Sequence, residues 1–507
     1  MHADEAILQT RDLTKRFGAT TANDRVSFEV KRGEIHCLLG ENGAGKTTLA
    51  ECLYGLYRPQ SGEIYFKGQR VDIESPRDAI ELGLGMVHQH FTLVRPLTVL
   101  ENIVVGTDAA QTILDLSEAR KRLDELCSKY GVSIDLTAKI WQLSVGEQQW
   151  VEILKPLFSG VDLLILDEPT APLTPQEADR LFVILRKMKD EGLSIILITH
   201  KLREVMEVSD RVTVLRDGKK VATVNTSDVT RSDLARMMVG REVVFNVEKD
   251  EARIGAPVLE VQGLRVKNDR GQDALQGVSL QVRSGEIVGA AGVSGNGQRE
   301  LFESIVGVRQ VDQGKVFLKG EEITNDAPWA IAARGVAHIP EDRLSEGLVP
   351  DFSISENLML GLQRERFFWH GIYLDSHAVK DFSSRCIEEF GIVTTSADQK
   401  TSNLSGGNQQ RVILARELST NPRCLIANQP TRGLDVGAIE YVRKRLIEQR
   451  DAGVAVLLFS EDLDEIFNLA DRIIVFFKGA IVSTMDAEDA TRERIGLLMA
   501  GAGEDEQ

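Results

Sequence analysis

Short apolar runs recur along the chain: Glu34-Ile-His-Cys-Leu-Leu-Gly40, Leu163-Leu-Ile-Leu-Asp167, Ile195-Ile-Leu-Ile-Thr199 and Arg211-Val-Thr-Val-Leu215. Between them lie helix-period stretches such as Lys46-Thr-Thr-Leu-Ala-Glu-Cys-Leu-Tyr54 and Thr174-Pro-Gln-Glu-Ala-Asp-Arg-Leu-Phe-Val-Ile-Leu-Arg186. β-rich runs alternating with amphipathic helices predict an α/β fold with a largely parallel sheet and helices on its faces. A helical insert is expected between sheet strands, from Leu97 to Trp150 and again from Ile354 to Leu418.

The pattern is written twice. Gly33-Glu-Ile and Gly40 return as Gly285-Glu-Ile and Gly292 at one constant offset. In the same order, Leu143-Ser-Val-Gly-Glu-Gln-Gln149 is echoed by Leu404-Ser-Gly-Gly-Asn-Gln-Gln410 and Leu163-Leu-Ile-Leu-Asp-Glu-Pro-Thr170 by Cys424-Leu-Ile-Ala-Asn-Gln-Pro-Thr431. Ile195-Ile-Leu-Ile-Thr-His200 is echoed by Val456-Leu-Leu-Phe-Ser-Glu461. A whole domain has been duplicated, and 507 residues suit two such copies. The polar stretch Val247-Glu-Lys-Asp-Glu-Ala-Arg253 reads as the linker.

Net charge is −17, without long single-sign blocks, which argues against counterion-driven binding to nucleic acid. The five cysteines lack C-x-x-C spacing and fit buried thiols in a reducing compartment. No run approaches a membrane span and the first residues do not read as a signal peptide, so a cytoplasmic protein is expected.

The chemistry enters with Gly40-Glu-Asn-Gly-Ala-Gly-Lys46-Thr47, which fits G-x-x-x-x-G-K-[ST]. Its glycines let backbone N–H groups converge on phosphate oxygens, and the following helix turns its positive end to the same anion. Lys46 is placed to reach the β- and γ-phosphates of a bound nucleotide and the Thr47 hydroxyl to ligate Mg²⁺. An apolar strand ending in acids can deliver carboxylates rigidly beside those phosphates. Asp167 is therefore expected to hold the metal and Glu168 to polarise the attacking water, a role worth ~10²–10⁴ in rate. Gln89 is expected to bring its amide to metal and water, and His200 to contact the γ-phosphate.

The second copy has lost each of these groups. Its loop reads Gly292-Val-Ser-Gly-Asn-Gly-Gln298-Arg299, with an amide for the lysine and a guanidinium for the magnesium-binding hydroxyl. The strand-end acids are Asn428 and Gln429, Glu461 stands for the histidine, and the region of Gln89 is rewritten as Ile339-Pro-Glu-Asp-Arg343. One hydrolytic site per chain is the expectation, with the other empty or holding nucleotide structurally.

On these motifs both halves resemble ABC-transporter nucleotide-binding domains over almost the whole chain, and Leu404-Ser-Gly-Gly-Asn-Gln409 resembles that family's signature element. The resemblance implies two tandem P-loop NTPase domains at residues 5–245 and 257–502, joined by a linker at 246–256, each with an antiparallel β subdomain besides its parallel core and helical insert. It implies head-to-tail closure, with Ser405, Gly406 and Gly407 covering ATP held by Gly40, Glu41, Asn42, Gly43, Ala44, Gly45, Lys46, Thr47 and Thr48. It also implies that Phe17 lies against adenine. The first-half signature departs at Val145, where a glycine is usual, and Trp150 and Pro172 are further departures.

The runs Ile339-Pro-Glu-Asp-Arg-Leu-Ser-Glu-Gly-Leu348 and Thr431-Arg-Gly-Leu-Asp-Val-Gly437 resemble the fused ATP-binding subunits of bacterial simple-sugar importers. Met86-Val-His-Gln-His-Phe-Thr-Leu-Val94 and Val151-Glu-Ile-Leu-Lys155 look most like the nucleoside branch. That implies a peripheral ATPase on the cytoplasmic face of the membrane, docked on two different permease subunits, served indirectly by an extracytoplasmic solute-binding protein and binding no nucleic acid. The alternative is a soluble tandem ATPase acting on ribosomes or nucleic acid. Such proteins keep two hydrolytic sites and a long basic linker, against the degenerate second site and short linker here.

Overall fold

A computed structural model describes residues 5–18, 20–105, 116–173, 175–242, 249–293, 295–363, 368–370, 373–499 and 501. Linker residues 246–248, loop residues Thr174 and Ser294, and residues 106–115, 364–367 and 371–372 of the two inserts lie outside them. So do the expected domain-end positions 243–245, 500 and 502. The chain divides into two compact units, Met1–Val243 and Val244–Gln507.

In unit 1 a six-stranded sheet runs in the spatial order Lys219–Asn225, Arg211–Arg216, Ile35–Leu39, Ser194–Thr199, Leu163–Asp167, Leu84–Val87. All pairings are parallel except the outer hairpin Arg211–Arg216/Lys219–Asn225. The central strands are continuous apolar runs because both faces are covered. Leu163 and Ile165 face a core shared with Ile7, Leu8 and Leu13, while Leu164 and Leu166 face one shared with Ile103, Leu123 and Ile153. Each such fully buried Leu or Ile contributes about 1.5–3 kcal/mol. The first core lies under an antiparallel sheet in which Ala6–Phe17 pairs with Thr20–Val26, Glu29–Lys31 and Ser61–Phe66. The second lies under the insert helices Val99–Val104, Leu116–Tyr130 and Val145–Ser159. Thr98 and Ser144 start two of these with reciprocal caps to Glu101 and Glu147.

Unit 2 repeats the plan. Its six-stranded sheet runs Val336–Ile339, Cys424–Asn428, Ala455–Ser460, Ile287–Ala291, Arg472–Phe477, Ala480–Asp486, again parallel except for the last hairpin. Pro257–Lys267, Asp273–Arg283 and Gln313–Leu318 form the antiparallel sheet. Residues just past the described start of this unit are tied to it: Lys249 Nζ donates to the Ala470 carbonyl at 2.6 Å, and fully buried Arg450 donates to the Asp250 carbonyl at 2.9 Å.

Some interior positions differ in kind between the copies. In unit 1 the buried His36 ring bridges Glu34 (Nδ1 to Oε1, 3.1 Å) and Thr213 (Nε2 to Oγ1, 2.8 Å), and Thr213 continues to Thr223 at 2.8 Å. The corresponding positions of unit 2 are Glu286, Val288, Ile474 and Thr484, so the buried link is apolar there. All five cysteines are buried, and burial pushes the thiols of Cys52 and Cys386 up to about 11 and that of Cys424 to about 12.

Candidate functional site

Strand Ile35–Leu39 delivers the chain to Gly40, from which the loop curls into helix Lys46–Leu53. Gly43 and Gly45 take left-handed backbone, at φ 83° and 93°. A Cβ on Gly45 would stand 2.3 Å from the Ala22 carbonyl oxygen, so only glycine fits there. Ala44 is buried and Glu41, Asn42, Thr47 and Thr48 are half-buried along the loop and the helix start. Lys46 is buried and lies back along the loop, its Nζ donating to the Gly40 and Glu41 carbonyls, both at 2.9 Å.

Beside the loop, strand Leu163–Asp167 ends in a carboxylate that is 1 % exposed. Neither oxygen of Asp167 makes a hydrogen bond of good geometry, although the Thr47 side chain stands near enough to act on it. Burial pushes its pKa up to about 6; the Thr47 side chain pulls it down, the Glu168 charge adds to the rise and Lys46 opposes it. A buried carboxylate with both oxygens unmatched is costly unless a cation completes it. Asp167 with the Thr47 hydroxyl and the Gln89 amide is a hard oxygen donor set of the kind magnesium takes.

The next residue, Glu168, has φ 47°, an uncommon left-handed conformation for a side-chain-bearing residue. That turn brings its carboxylate between two of the expected partners. His200 Nδ1 lies 2.8 Å from Oε1, and Gln89 Nε2 donates to Oε2 at 3.3 Å. Burial acts to raise the Glu168 pKa, but the His200 hydrogen bond and charge, with Lys46 and Lys201, outweigh it and hold the group below its ordinary value. It is therefore ionised at neutral pH.

Two further residues, one behind this cluster and one beside Phe17, carry no signal in the sequence. Glu204, on helix Leu202–Val208, accepts from the Thr170 hydroxyl and, at 2.7 Å, from the Thr199 hydroxyl. It so ties the turn after Glu168 to the strand end before His200. Tyr57 stands edge-on to Phe17 with ring centroids 5.0 Å apart, and Lys15 Nζ sits 5.0 and 5.1 Å from the two rings. Phe17 is 43 % and Tyr57 37 % exposed, so an aromatic platform with an adjacent cation faces solvent.

The corresponding points of unit 2 are built differently. Gln298 is buried and donates to the Ala290 carbonyl at 2.9 Å, and Arg299 pairs with Glu303 at 2.7 Å. Gln429 keeps φ 49°, but its Oε1 accepts from the Glu461 backbone N–H at 3.2 Å. Ser405, Gly406 and Gly407 lie in this unit. Ser405 caps helix Gly406–Leu418, and a Cβ on Gly407 would stand 3.1 Å from that of Ala438. The equivalent helix of unit 1, Val145–Ser159, starts on Ser144 with Val145 48 % exposed.

Comparison with known proteins agrees with the duplication. The profile of the family described as ABC transporter matches residues 23–171 and 275–432. A glucose import ATP-binding protein of Haloferax volcanii is 49 % identical over 99 % of this chain and 96 % of its own length. The nucleoside import ATP-binding protein NupA of Lactococcus lactis is 49 % identical over 98 % and 99 %, and the guanosine import ATP-binding protein NupO of Bacillus subtilis 48 % over 99 % and 99 %. Among solved structures, the complex of archaeal ribosomal stalk protein aP1 with the ribosome recycling factor aABCE1 aligns with TM-score 0.63 at 19 % identity, over 97 % of this chain and 92 % of that one.

Proposed function

The chain belongs to the ABC transporter family of ATP-binding proteins, and from that premise we propose that it energises import of nucleosides from a single hydrolytic site built on unit 1. The observation that carries this reading is the Glu168 carboxylate held between His200 and Gln89, one residue from the buried Asp167 carboxylate and beside the Lys46 loop.

In this reading the loop N–H groups and Lys46 bind the β- and γ-phosphates, and Lys46 leaves its two carbonyl partners to do so. Thr47, Asp167 and Gln89 would hold Mg²⁺, which would supply positive charge to offset that of the phosphates. Glu168 accepts the proton of the attacking water, with its carboxylate oriented by His200. His200 also donates to the γ-phosphate, and Phe17 stacks against adenine. Ser405, Gly406 and Gly407 cover the nucleotide when the units close on each other. Unit 2 has neither the charge nor the base for hydrolysis.

Nucleoside is favoured over sugar as the cargo by the names of two full-length relatives and by the runs Met86–Val94 and Val151–Lys155; a third relative's name specifies glucose. Partners are two different permease subunits, with a solute-binding protein delivering to them, and the chain sits peripherally on the cytoplasmic face. Among the described residues no helix is long and apolar enough to cross a membrane. The likeness to a ribosome recycling factor is one of fold alone, at 19 % identity. The test is uptake of a labelled nucleoside by vesicles carrying the reconstituted complex: uptake should need ATP and vanish with Glu168→Gln. Uptake that survives this substitution overturns the assignment of the site, and ATP-driven uptake of glucose alone overturns that of the cargo.

A further inference from the structure

Strand Thr20–Val26 runs behind the phosphate-binding loop of unit 1, and its middle residue, Asn23, is fully buried. The Asn23 amide nitrogen donates to the Gly45 carbonyl at 3.0 Å, and since a carbonyl can only accept, this bond fixes which end of the amide faces the loop. The same carbonyl accepts from the Leu49 N–H at 3.0 Å, as the cap of helix Lys46–Leu53. Two donors therefore hold one peptide group. The other end of the amide, Asn23 Oδ1, is sealed from solvent and has no hydrogen-bond partner among the described residues. A buried amide left partly unmatched costs stability relative to an apolar side chain of the same shape.

Unit 2 has that apolar side chain. Leu275 stands at the equivalent point and is also fully buried. A Cβ on Gly297 would lie 2.8 Å from Leu275 Cδ2, just as one on Gly45 would lie 2.6 Å from Asn23 Nδ2. The backbone around the two side chains is the same. Those Cβ atoms would also press on the Ala22 and Ala274 carbonyl oxygens, and the Asp24 and Gln276 N–H groups donate to the Gly218 and Gly479 carbonyls, both at 2.8 Å. Leucine thus suits this backbone, and the fold alone does not call for an amide. The amide stands in the copy that has Lys46, and leucine in the copy that has Gln298.

The planar trans peptide explains what the amide can add. Its C=O and N–H point in opposite directions, so holding the Gly45 carbonyl from behind aims the Lys46 N–H out of the helix start toward the hollow of the loop. A hydrogen bond accepted at the carbonyl also polarises the N–H of the same peptide and makes it a better donor. Leu275 has no donor to offer. We propose that Asn23 is a positioning residue for nucleotide: it holds the Gly45–Lys46 peptide so that its N–H meets the β-phosphate, a contact common to ATP and ADP. The nucleotide itself rests on the function proposed above.

The test compares wild type, Asn23→Leu and Asn23→Ala in the full chain, by equilibrium binding of ATP and of ADP with magnesium, each below the variant's melting midpoint. Asn23→Leu, which gives unit 1 the residue of unit 2, should weaken both nucleotides alike, about three- to tenfold, as expected for one lost hydrogen bond. Its melting midpoint should stay level or rise, because a partly unmatched amide has been replaced by a leucine the backbone accepts. Asn23→Ala removes the donor without adding bulk and gives the same readout should leucine unfold the unit. ATP and ADP affinities within twofold of wild type in the folded variants overturn the proposal, whatever the midpoints. So does a loss confined to ATP, which would place the effect at the terminal phosphate. ATP binding that survives Lys46→Ala overturns the underlying site instead.

Discussion

At the corner after the buried strand, unit 1 places Glu168 at φ 47° and unit 2 places Gln429 at φ 49°, so the same left-handed turn presents a carboxylate in one copy and an amide in the other. Behind each corner stands a buried brace: Glu204 accepts from Thr199, and Glu465 from Ser460 at 2.7 Å. Just after each loop helix the backbones agree again. Tyr57 and Arg309 both donate their N–H to a helix carbonyl, of Glu51 and Glu303 respectively. Unit 1 uses the position for an aromatic pair, whereas unit 2 uses it for ion pairs of Arg309 with Glu303 at 2.6 Å and Asp269 at 2.7 Å. Burial and backbone hydrogen bonds kept the scaffold. The side chains that differ are those at the proposed nucleotide-contacting positions.

The sharpest way to break the comparison is at the corner. Glu168→Gln, which gives unit 1 the residue of unit 2, should lower ATP turnover by about 10² or more, while Gln429→Ala should leave it within twofold. Phosphate release by the assembled complex measures both, and equal losses would show that the two corners share the work.

The braces separate structure from chemistry. Glu204→Ala and Glu465→Ala should each cost about 1–3 kcal/mol in thermal or urea unfolding, because each strands buried hydroxyls. Only Glu204→Ala should also slow turnover. A turnover loss from Glu465→Ala would assign chemistry to the altered cleft.

At the proposed base-binding position, Phe17→Ala and Tyr57→Ala should each weaken ATP by about 0.5–1.5 kcal/mol, two- to tenfold, in direct binding. Arg309→Ala should leave ATP affinity unchanged.

The smallest effect is a slope. Burial lowers the His36 pKa from 6.5, so the folded state favours the neutral ring. As pH falls below 6.5 the unfolded chain takes up this proton first, and unit 1 loses stability between that value and the lower folded one. Unit 2, with Val288 there, carries no such component. His36→Val with Thr213→Ile should remove that part of the acid sensitivity, read from unfolding midpoints at pH 7.5 and pH 5.5.

The loop, the acid-bearing strand, the signature helices and the sheet strands were legible because each is local: a run of glycines, an apolar stretch, a capping serine. Gln89, Glu168 and His200 were expected around one nucleotide, but their direct hydrogen bonds to each other were not visible, since these go with a left-handed backbone at Glu168. Tyr57 and Glu204 carried no local signal. Tyr57 reads as one more residue after a helix, and it matters because strand Ala6–Phe17 carries Phe17 to it. Glu204 reads as an ordinary acid in the first turn of a helix, and only the fold seals it among hydroxyls.

The burial of every native thiol has a practical corollary. With Cys52, Cys386 and Cys424 shifted far into the alkaline range and all five side chains sheltered, little thiolate is offered to maleimides at neutral pH. A cysteine engineered onto an exposed position, such as Val308 or Val393, should therefore label almost alone in the native chain. Dyes or spin labels for following nucleotide-driven movement can be installed without first stripping the protein of its own sulfur.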